Sequence, residues 1–240
     1  MTNAWQKLLK QCHKQGDKMK KSIIALFLIL VLSISILAYG ISKNQNIVLT
    51  EENHASLVGE VNGGSVETAI LKLRSLDQSK TRYFYIDSPG GEVINGMRLI
   101  NYLRSAEGKG IVCIAEKAMS MAFVALQSCE TRLVIENTML MSHGIAGGMQ
   151  GYIKQIESEL ILAKKLDYIL QKIQANRLGI TIEQLLKNQN AEWWIIGIED
   201  ALNNNATDGV ANVSCSLEIQ KPVKVKNDEG QEITISKCPL

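Results

Sequence analysis

The sequence predicts an α/β domain that follows a membrane-spanning segment and ends in a β-hairpin. Between residues 47 and 212, short β-rich apolar runs alternate with segments of helical spacing, the pattern of βαβ units in a right-handed α/β core. Residues 22–42 carry no charged side chain, and as a helix they would extend about 31 Å, close to the roughly 30 Å hydrocarbon thickness of a bilayer. Residues 213–238 alternate apolar and polar side chains around a polar turn at 227–230, as hairpins do.

The lysines before the apolar run predict its orientation. Residues 1–21 hold six lysines and one acidic residue, and the positive-inside rule places such a segment in the cytoplasm. We therefore expect a single-pass inner-membrane protein whose main domain (43–212) and hairpin extension (213–240) lie outside the cytoplasm. A cleaved signal peptide, with Ala38-Tyr39-Gly40 as its cleavage site, is the alternative that the sequence leaves open.

The cysteines bear on the same question of compartment. Cys12 precedes the apolar run, and the other four, an even number, fall in the part of the chain predicted to face an oxidising space. Cys215 and Cys238 flank the predicted hairpin and are the better candidates for a disulfide. The alternative is that Cys113, Cys129 and this pair are all buried thiols that pack as small apolar side chains.

Each element of the core has its own signal along the chain. Runs of β-branched and aromatic residues predict strands at 47–50, 56–61, 82–86, 111–115, 133–135 and 139–142. Apolar residues at helical spacing predict helices at 65–76, 93–104, 120–127 and 152–174. Thr181 with Gln184 forms the pattern of a capping box that opens a further helix.

Composition and missing motifs exclude several classes of function. The formal net charge of +2 is too near balance to indicate a nucleic-acid partner. Only two histidines follow the apolar run, and without an HExxH or CxxC pattern they argue against a zinc site. The chain also has no GxxxxGK or GxGxxG pattern for a phosphate or dinucleotide. We expect neither a metal nor a cofactor.

Three segments carry residues suited to chemistry. The turn Ser88-Pro89-Gly90-Gly91 lies between a strand and a helix, where glycine N–H groups can approach a developing negative charge. Ser120 lies where a strand gives way to an apolar helix, which fits either an ordinary N-cap or an exposed nucleophile. His143 follows an apolar strand and precedes a glycine-rich loop, whereas His54 precedes a strand in a polar stretch and is expected to be exposed.

Together these segments resemble the Clp proteolytic-subunit family of serine peptidases, within the wider crotonase-like clan. The resemblance covers about residues 47–212. It depends on the strand and SPGG turn at 82–91, the A-x-S-M segment at 118–121, and His143 followed by Gly147-Gly148-Met149-Gln150-Gly151, which is similar to the family's H-x-x-x-G-G-x-Q-G. It implies an α/β fold with a ββα superhelical core, and a homo-oligomer in which the long helix 152–174 is the handle through which subunits meet.

The resemblance also implies roles for single residues. Ser120 would attack a peptide carbonyl, and His143 would take its proton and pass it to the leaving amine. The N–H groups of Gly91 and Met121 would hold the oxyanion. The substrate backbone would pair as an added strand with residues around Gly90, Gly147, Gly148 and Met149.

The third member of the triad is where the sequence departs from the family pattern. The family has an Asp shortly before an F-L/W-L stretch, and this chain has Asn190-Ala191-Glu192-Trp193-Trp194 in a region that is one residue longer. Glu192 is the first choice for orienting His143, and Asn190 is the second. Glu192 as a plain solvated charge is the alternative.

Other readings of the same residues stay open. A Ser–Lys peptidase would use one of the lysines on the helix after His143, namely Lys154, Lys164 or Lys165. A catalytically inactive scaffold or binding protein could keep the fold without the activity. An acyl-CoA enzyme of the same clan would need a basic cluster that the sequence does not offer. The leading hypothesis is hydrolysis of peptides or unfolded proteins at the membrane, on its extracytoplasmic side.

Overall fold

The computed structural model describes residues 44–226 and 232–240. The predicted cytoplasmic segment, the membrane span at 22–42, the alternative cleavage site and the hairpin turn at 227–230 lie outside these residues. In the two described stretches, every helix is too short or too polar to cross a bilayer.

A seven-stranded sheet forms the centre of the domain, in the order β1-β7-β5-β4-β3-β2, with neighbouring strands parallel. β6 lies off this path and pairs antiparallel with β5. The seven strands are β1 (Gln45–Leu49), β2 (His54–Val58), β3 (Arg82–Ser88), β4 (Ile111–Met119), β5 (Thr131–Ser142), β6 (Trp193–Ile196) and β7 (Gly209–Cys215). The prediction of an α/β fold built on a parallel sheet is confirmed.

Most of the helices pack against one face of this sheet. They are α1 (Gly63–Ser75), α2 (Val93–Leu103), α3 (Met121–Gln127), α4 (Ile153–Leu178), α5 (Ile182–Asn188), α6 (Gly197–Asn203) and α7 (Leu217–Gln220), with a short 3₁₀ turn at Ala106–Gly108. α4 ends at Gly179, whose left-handed φ of 73° suits a residue without a Cβ. The predicted capping box of Thr181 and Gln184 is confirmed at the start of α5.

The strands are buried on both faces, which gives two apolar clusters. Alternate residues of β3 divide between them, with Phe84 and Ile86 on the helical side and Tyr85 on the other. The second cluster is closed by Cys215 and Ile219, which belong to the end of the chain. The C-terminal region therefore covers a face of the core.

β5 is a single strand, although the sequence predicts two. Its first half pairs with β7 through Leu133 and Val134, and its second half pairs with β6 through residues 139–142. Between these halves the register with β4 shifts, after Ala115. The polar residues at the irregularity, which interrupt the apolar pattern, explain the predicted gap.

The N-terminal half of β5 is fastened by an ion pair whose arginine is buried. Arg132 is 1% exposed and donates from Nη2 to Asp208 Oδ1 at 2.7 Å, and Arg177 donates to Asp208 Oδ2 at 2.7 Å. Burial acts to raise the pKa of the Asp208 carboxyl, but the hydrogen bonds and charge of Arg132 outweigh it and leave that pKa lowered. The carboxylate thus stays charged and ties β5 to the segment before β7.

Two disulfides close the domain. Cys215 at the end of β7 is bonded to Cys238, and Cys113 in β4 is bonded to Cys129 just after α3. β7 runs three residues past the predicted domain boundary at 212, and a two-stranded hairpin follows as β8 (Val223–Lys226) and β9 (Glu232–Ile235).

Candidate active site

Ser120 lies on a strained turn between β4 and α3. Its φ of 52° and ψ of −123° are unusual for a residue with a side chain, and among the described non-glycine residues only Asn205 shares a positive φ. The Ser120 side chain makes no cap hydrogen bond to α3, so the ordinary N-cap reading has no support in the geometry. Its backbone N–H donates to Met141 O at 2.9 Å, which ties the turn to β5.

The glycine turn packs directly against Ser120. A Cβ at residue 90, where φ is 93°, would lie 2.6 Å from both Met119 O and Ser120 Cβ, so only glycine fits there. Val61 fastens the turn, since its N–H donates to Gly90 O at 2.8 Å and its carbonyl accepts from Glu92 N–H at 2.8 Å. This pairing leaves the Gly91 N–H outside it.

A second backbone donor adjoins the first. Met121 is the first residue of α3, where an N–H has no acceptor within its own helix. Ser120, Gly91 and Met121 line one small cavity of about 50 Å³. Two N–H groups beside a strained serine are the parts from which an oxyanion hole is built.

His143 lies on the wall of this same cavity. It follows the last residue of β5, and the β4–β5 register pairs Met119 with Met141, so the serine and the histidine leave neighbouring parallel strands at the same edge. The other lining residues are Val93, Val124, Gly144, Ile145, Ala146, Asp167, Leu170 and Gln174.

A buried polar network lies next to His143. The Ser142 hydroxyl donates to Gln174 Oε1 at 2.6 Å and accepts from Gln189 Nε2 at 2.6 Å, and all three residues are buried. Within the described residues, Gln189 Oε1 has no hydrogen-bond partner. Sequence reasoning missed this network. The signal available was the pair of glutamines at 171 and 174 on the face of the long helix that packs inward.

The residues predicted to complete the triad lie elsewhere. Glu192 is exposed, and its carboxylate accepts a hydrogen bond from the Trp194 indole at 3.0 Å. Asn190 is exposed too, and neither residue lines the cavity. The carboxylate that does line it is Asp167 of α4, which accepts from Ile145 N–H at 2.9 Å. The sequence pattern gave no reason to single out this residue.

The lysines of α4 also lie outside this cavity. Lys164 lines a neighbouring cavity of about 440 Å³ together with Gly147, Gly148 and Met149. The two cavities share Ile145 and Asp167 as lining residues, so they adjoin. Lys154 and Lys165 are exposed.

The prediction that His54 is exposed is wrong. His54 is 5% exposed in β2, and its Nδ1 is hydrogen-bonded to Thr50 O. Burial is the largest effect on this side chain and lowers its pKa, which keeps the ring neutral near pH 7. His54 is therefore a core residue, and it does not line the cavity that holds Ser120.

Comparison with known proteins places this geometry in a family. The Clp protease family model matches residues 40–212, well over half of the chain. The chain is also 27% identical over 143 residues to the ATP-dependent Clp protease proteolytic subunit 2 of Tropheryma whipplei (strain Twist). That match covers 59% of this chain and 79% of the relative.

Proposed function

The chain belongs to the Clp protease family and is a serine peptidase, and from that premise we propose that it cleaves peptides or unfolded proteins through an acyl-enzyme at Ser120. The observation that carries the proposal is the single small cavity lined by a strained serine, a histidine and two backbone N–H donors. A nucleophile, a base and an oxyanion site are the parts that acyl transfer needs.

The reaction follows from these parts. His143 takes the proton of the Ser120 hydroxyl as the oxygen bonds to the peptide carbonyl carbon, and the carbonyl oxygen becomes an oxyanion held by the N–H groups of Gly91 and Met121. The carbon–nitrogen bond then breaks while His143 gives its proton to the departing amine. Water attacks the resulting ester by the same route, which releases the acid product and restores the serine.

The substrate backbone binds along the loop after His143. Residues 147–149 are exposed, and a Cβ on Gly147 or Gly148 would meet nothing within 4 Å. An extended peptide added here as a strand bonds mainly through its backbone, so affinity depends little on its sequence. The adjoining cavity of about 440 Å³ has room for a side chain of the substrate.

Subunit contact is proposed through α4. Five large apolar or aromatic side chains of this helix, which line neither the Ser120 cavity nor the adjoining one, are at least two-fifths exposed, namely Ile153, Ile161, Leu162, Tyr168 and Ile169. Several exposed apolar side chains on one helix are typical of a protein contact. We expect light scattering to report a homo-oligomer, and Leu162→Glu to lower its mass; a monomeric wild-type protein would contradict this assembly.

The two disulfides support an extracytoplasmic domain, because such bonds persist in oxidising compartments. The lysine-rich segment 1–21 and the apolar run 22–42 support a membrane anchor with a cytoplasmic N-terminus. In a bacterial host whose outer membrane is permeabilised, added protease should digest the domain of the membrane-bound protein. Protection of the domain, or its recovery in the cytosolic fraction, would contradict this location.

A fluorophosphonate probe tests the chemistry directly. We expect the wild-type protein to be labelled, and Ser120→Ala to abolish labelling. His143→Ala should lower the labelling rate by about a thousandfold or more, because the hydroxyl loses its base. Wild-type protein that folds and assembles but takes no label would favour the inactive scaffold.

Lysine variants separate the serine–histidine mechanism from the serine–lysine one. Lys164 lines only the neighbouring cavity, so Lys164→Ala should keep its label, as should Lys165→Ala at an exposed position. If either lysine variant loses the label while His143→Ala keeps it, the base is a lysine and the assignment of His143 is wrong.

A further inference from the structure

The long helix α4 carries a polar stripe on its inward face. Asp167, Gln171 and Gln174 are spaced four and three residues apart, so they lie along one side of the helix. Gln171 is 6% exposed and Gln174 is 2% exposed. Burying amides costs free energy unless hydrogen bonds satisfy them, so a buried stripe of this kind calls for a specific use.

The stripe holds the chain on both sides of His143. Before the histidine, the Ser142 hydroxyl donates to Gln174 Oε1 at 2.6 Å. After it, the Ile145 N–H donates to Asp167 Oδ1 at 2.9 Å. Gln171 Nε2 donates to the other Asp167 oxygen and fixes the carboxylate in place.

The segment that the stripe holds has few other restraints. Residues 143–150 lie beyond the end of β5 and outside regular secondary structure, and residues 146–150 are exposed. Gly144 adds freedom of its own, and a Cβ on it would lie 3.5 Å from Asp167 Oδ1. The direction in which His143 leaves the sheet is thus set by contacts to α4.

We propose that Asp167, with Gln171 and Gln174, is the positioning device for His143, and that it acts on the backbone of the histidine segment. This inference rests on the proposed function, because the position of His143 matters for activity only if His143 is the base. It replaces an acid acting on the imidazole, the role first given to Glu192, whose carboxylate is exposed and bonded to Trp194. Asp167 is a positioning residue because its described bonds go to Ile145 and Gln171.

Two substitutions at residue 167 test whether the hydrogen bond accepted by its side chain is what positions the segment. Asp167→Asn keeps an oxygen that can accept from the Ile145 N–H, whereas Asp167→Leu keeps the branched shape of the side chain, is larger, and has no acceptor. We expect Asp167→Leu to lower the rate of fluorophosphonate labelling about tenfold or more, with little change in the probe concentration at half-saturation. Asp167→Asn should stay within about threefold of wild type.

Glu192→Ala is the matched removal of a carboxylate outside the cavity, and it should label at the wild-type rate. Loss of labelling in Glu192→Ala, with Asp167→Leu unaffected, would give the orienting role back to Glu192. Equal losses in Asp167→Asn and Asp167→Leu would also overturn the proposal, because then the acceptor oxygen would not matter.

Amide hydrogen exchange measures the positioning without needing activity. In wild type and Asp167→Asn the Ile145 amide should be protected, and in Asp167→Leu it should exchange about tenfold faster or more, with protection of the β3 and β4 amides unchanged. Unchanged Ile145 exchange in Asp167→Leu would show that the bond is not made. Hydrogen exchange does not depend on activity. A wild-type protein that takes no label would contradict the peptidase proposal, while exchange at the Ile145 amide would still test the role of Asp167.

Discussion

The glycine turn beside Ser120 (the closed wall) and the loop after His143, which borders the adjoining cavity (the open wall), are built in opposite ways. On one side Gly90 is so tightly enclosed that a Cβ would come within 2.6 Å of Ser120 Cβ, and the serine itself is strained. On the other side Gly147 has nothing within 4 Å of such a Cβ, and the loop around it is exposed. In the proposed reaction, the closed wall fixes the reacting groups, and the open wall leaves room for substrates of different sequence.

The largest effect is expected when the closed wall is disturbed. Gly90→Ala adds a methyl group where neighbouring atoms cannot withdraw, at a φ of 93° that alanine rarely adopts. We expect a loss of about 4 kcal/mol of stability from the combined strain and overpacking, and at least a hundredfold loss of labelling. Thermal unfolding and labelling rate measure the two losses. A stable, active Gly90→Ala protein would contradict the enclosed geometry.

The Cys113–Cys129 disulfide stabilises the closed wall, because it joins β4, which precedes Ser120, to the end of α3, which follows it. The double substitution to alanine should cost about 3 kcal/mol of unfolding free energy in the chain-entropy view, and it should also slow labelling at 37 °C. Removing the Cys215–Cys238 bond should cost a similar amount, since its loop is of similar length, but leave labelling at 37 °C unchanged. Slower labelling from the second pair alone would break the contrast.

Asp208→Asn serves as a destabilised control at a residue that lines neither cavity. It leaves the buried Arg132 without its carboxylate, and we expect a cost of about 2 kcal/mol, less than for a fully buried pair because Asp208 is a third exposed. Labelling at 20 °C should stay unchanged, which separates lost stability from a damaged site. Lost labelling in this variant would mean that β5 transmits the change to His143.

The same ion pair has a pH signature. Since the folded-state pKa of Asp208 is lowered, its contribution is present above the unfolded carboxyl pKa of about 4 and is lost as the pH falls through the folded value. Denaturant unfolding between pH 6 and pH 3 should therefore show the wild-type protein losing more stability than Asp208→Asn. Parallel losses in the two proteins would contradict the assigned pair.

The smallest effect is expected on the open wall. Gly147→Ala keeps the backbone N–H and carbonyl and meets no neighbour, so labelling should change less than about threefold and stability by less than about 0.5 kcal/mol. Cleavage of an unfolded protein should be affected equally little. A large loss in Gly147→Ala would show that this wall closes tightly on its substrate.

The sequence predicted most of the fold because buried strands and amphipathic helices leave periodic signals. It placed the glycine turn between β3 and α2, Ser120 at the start of α3 and His143 after β5, since strand ends and turns are local features. It did not foresee that His54 is buried, nor that β5 is continuous across 136–138. Those outcomes depend on neighbours that are distant in the chain.

The carboxylate that lines the cavity with His143 was the hardest part of the site to predict. Asp167 lies 24 positions after His143, in a helix whose charged residues mostly face solvent, so its inward direction follows from how α4 packs. Glu192 was chosen from its place before a tryptophan pair, and in the structure its carboxylate accepts a hydrogen bond from the indole of Trp194. Direction of a side chain is a tertiary property, and a pattern of spacing carries little information about it.

The Cys113–Cys129 bond makes the segment that carries Ser120 a covalent ring. A peptidase is itself open to attack by neighbouring copies whenever its own loops come loose. A cut anywhere between residues 114 and 128 would leave the two new ends attached to the same molecule. The damaged turn could then close again in place, where an unlinked fragment would diffuse away.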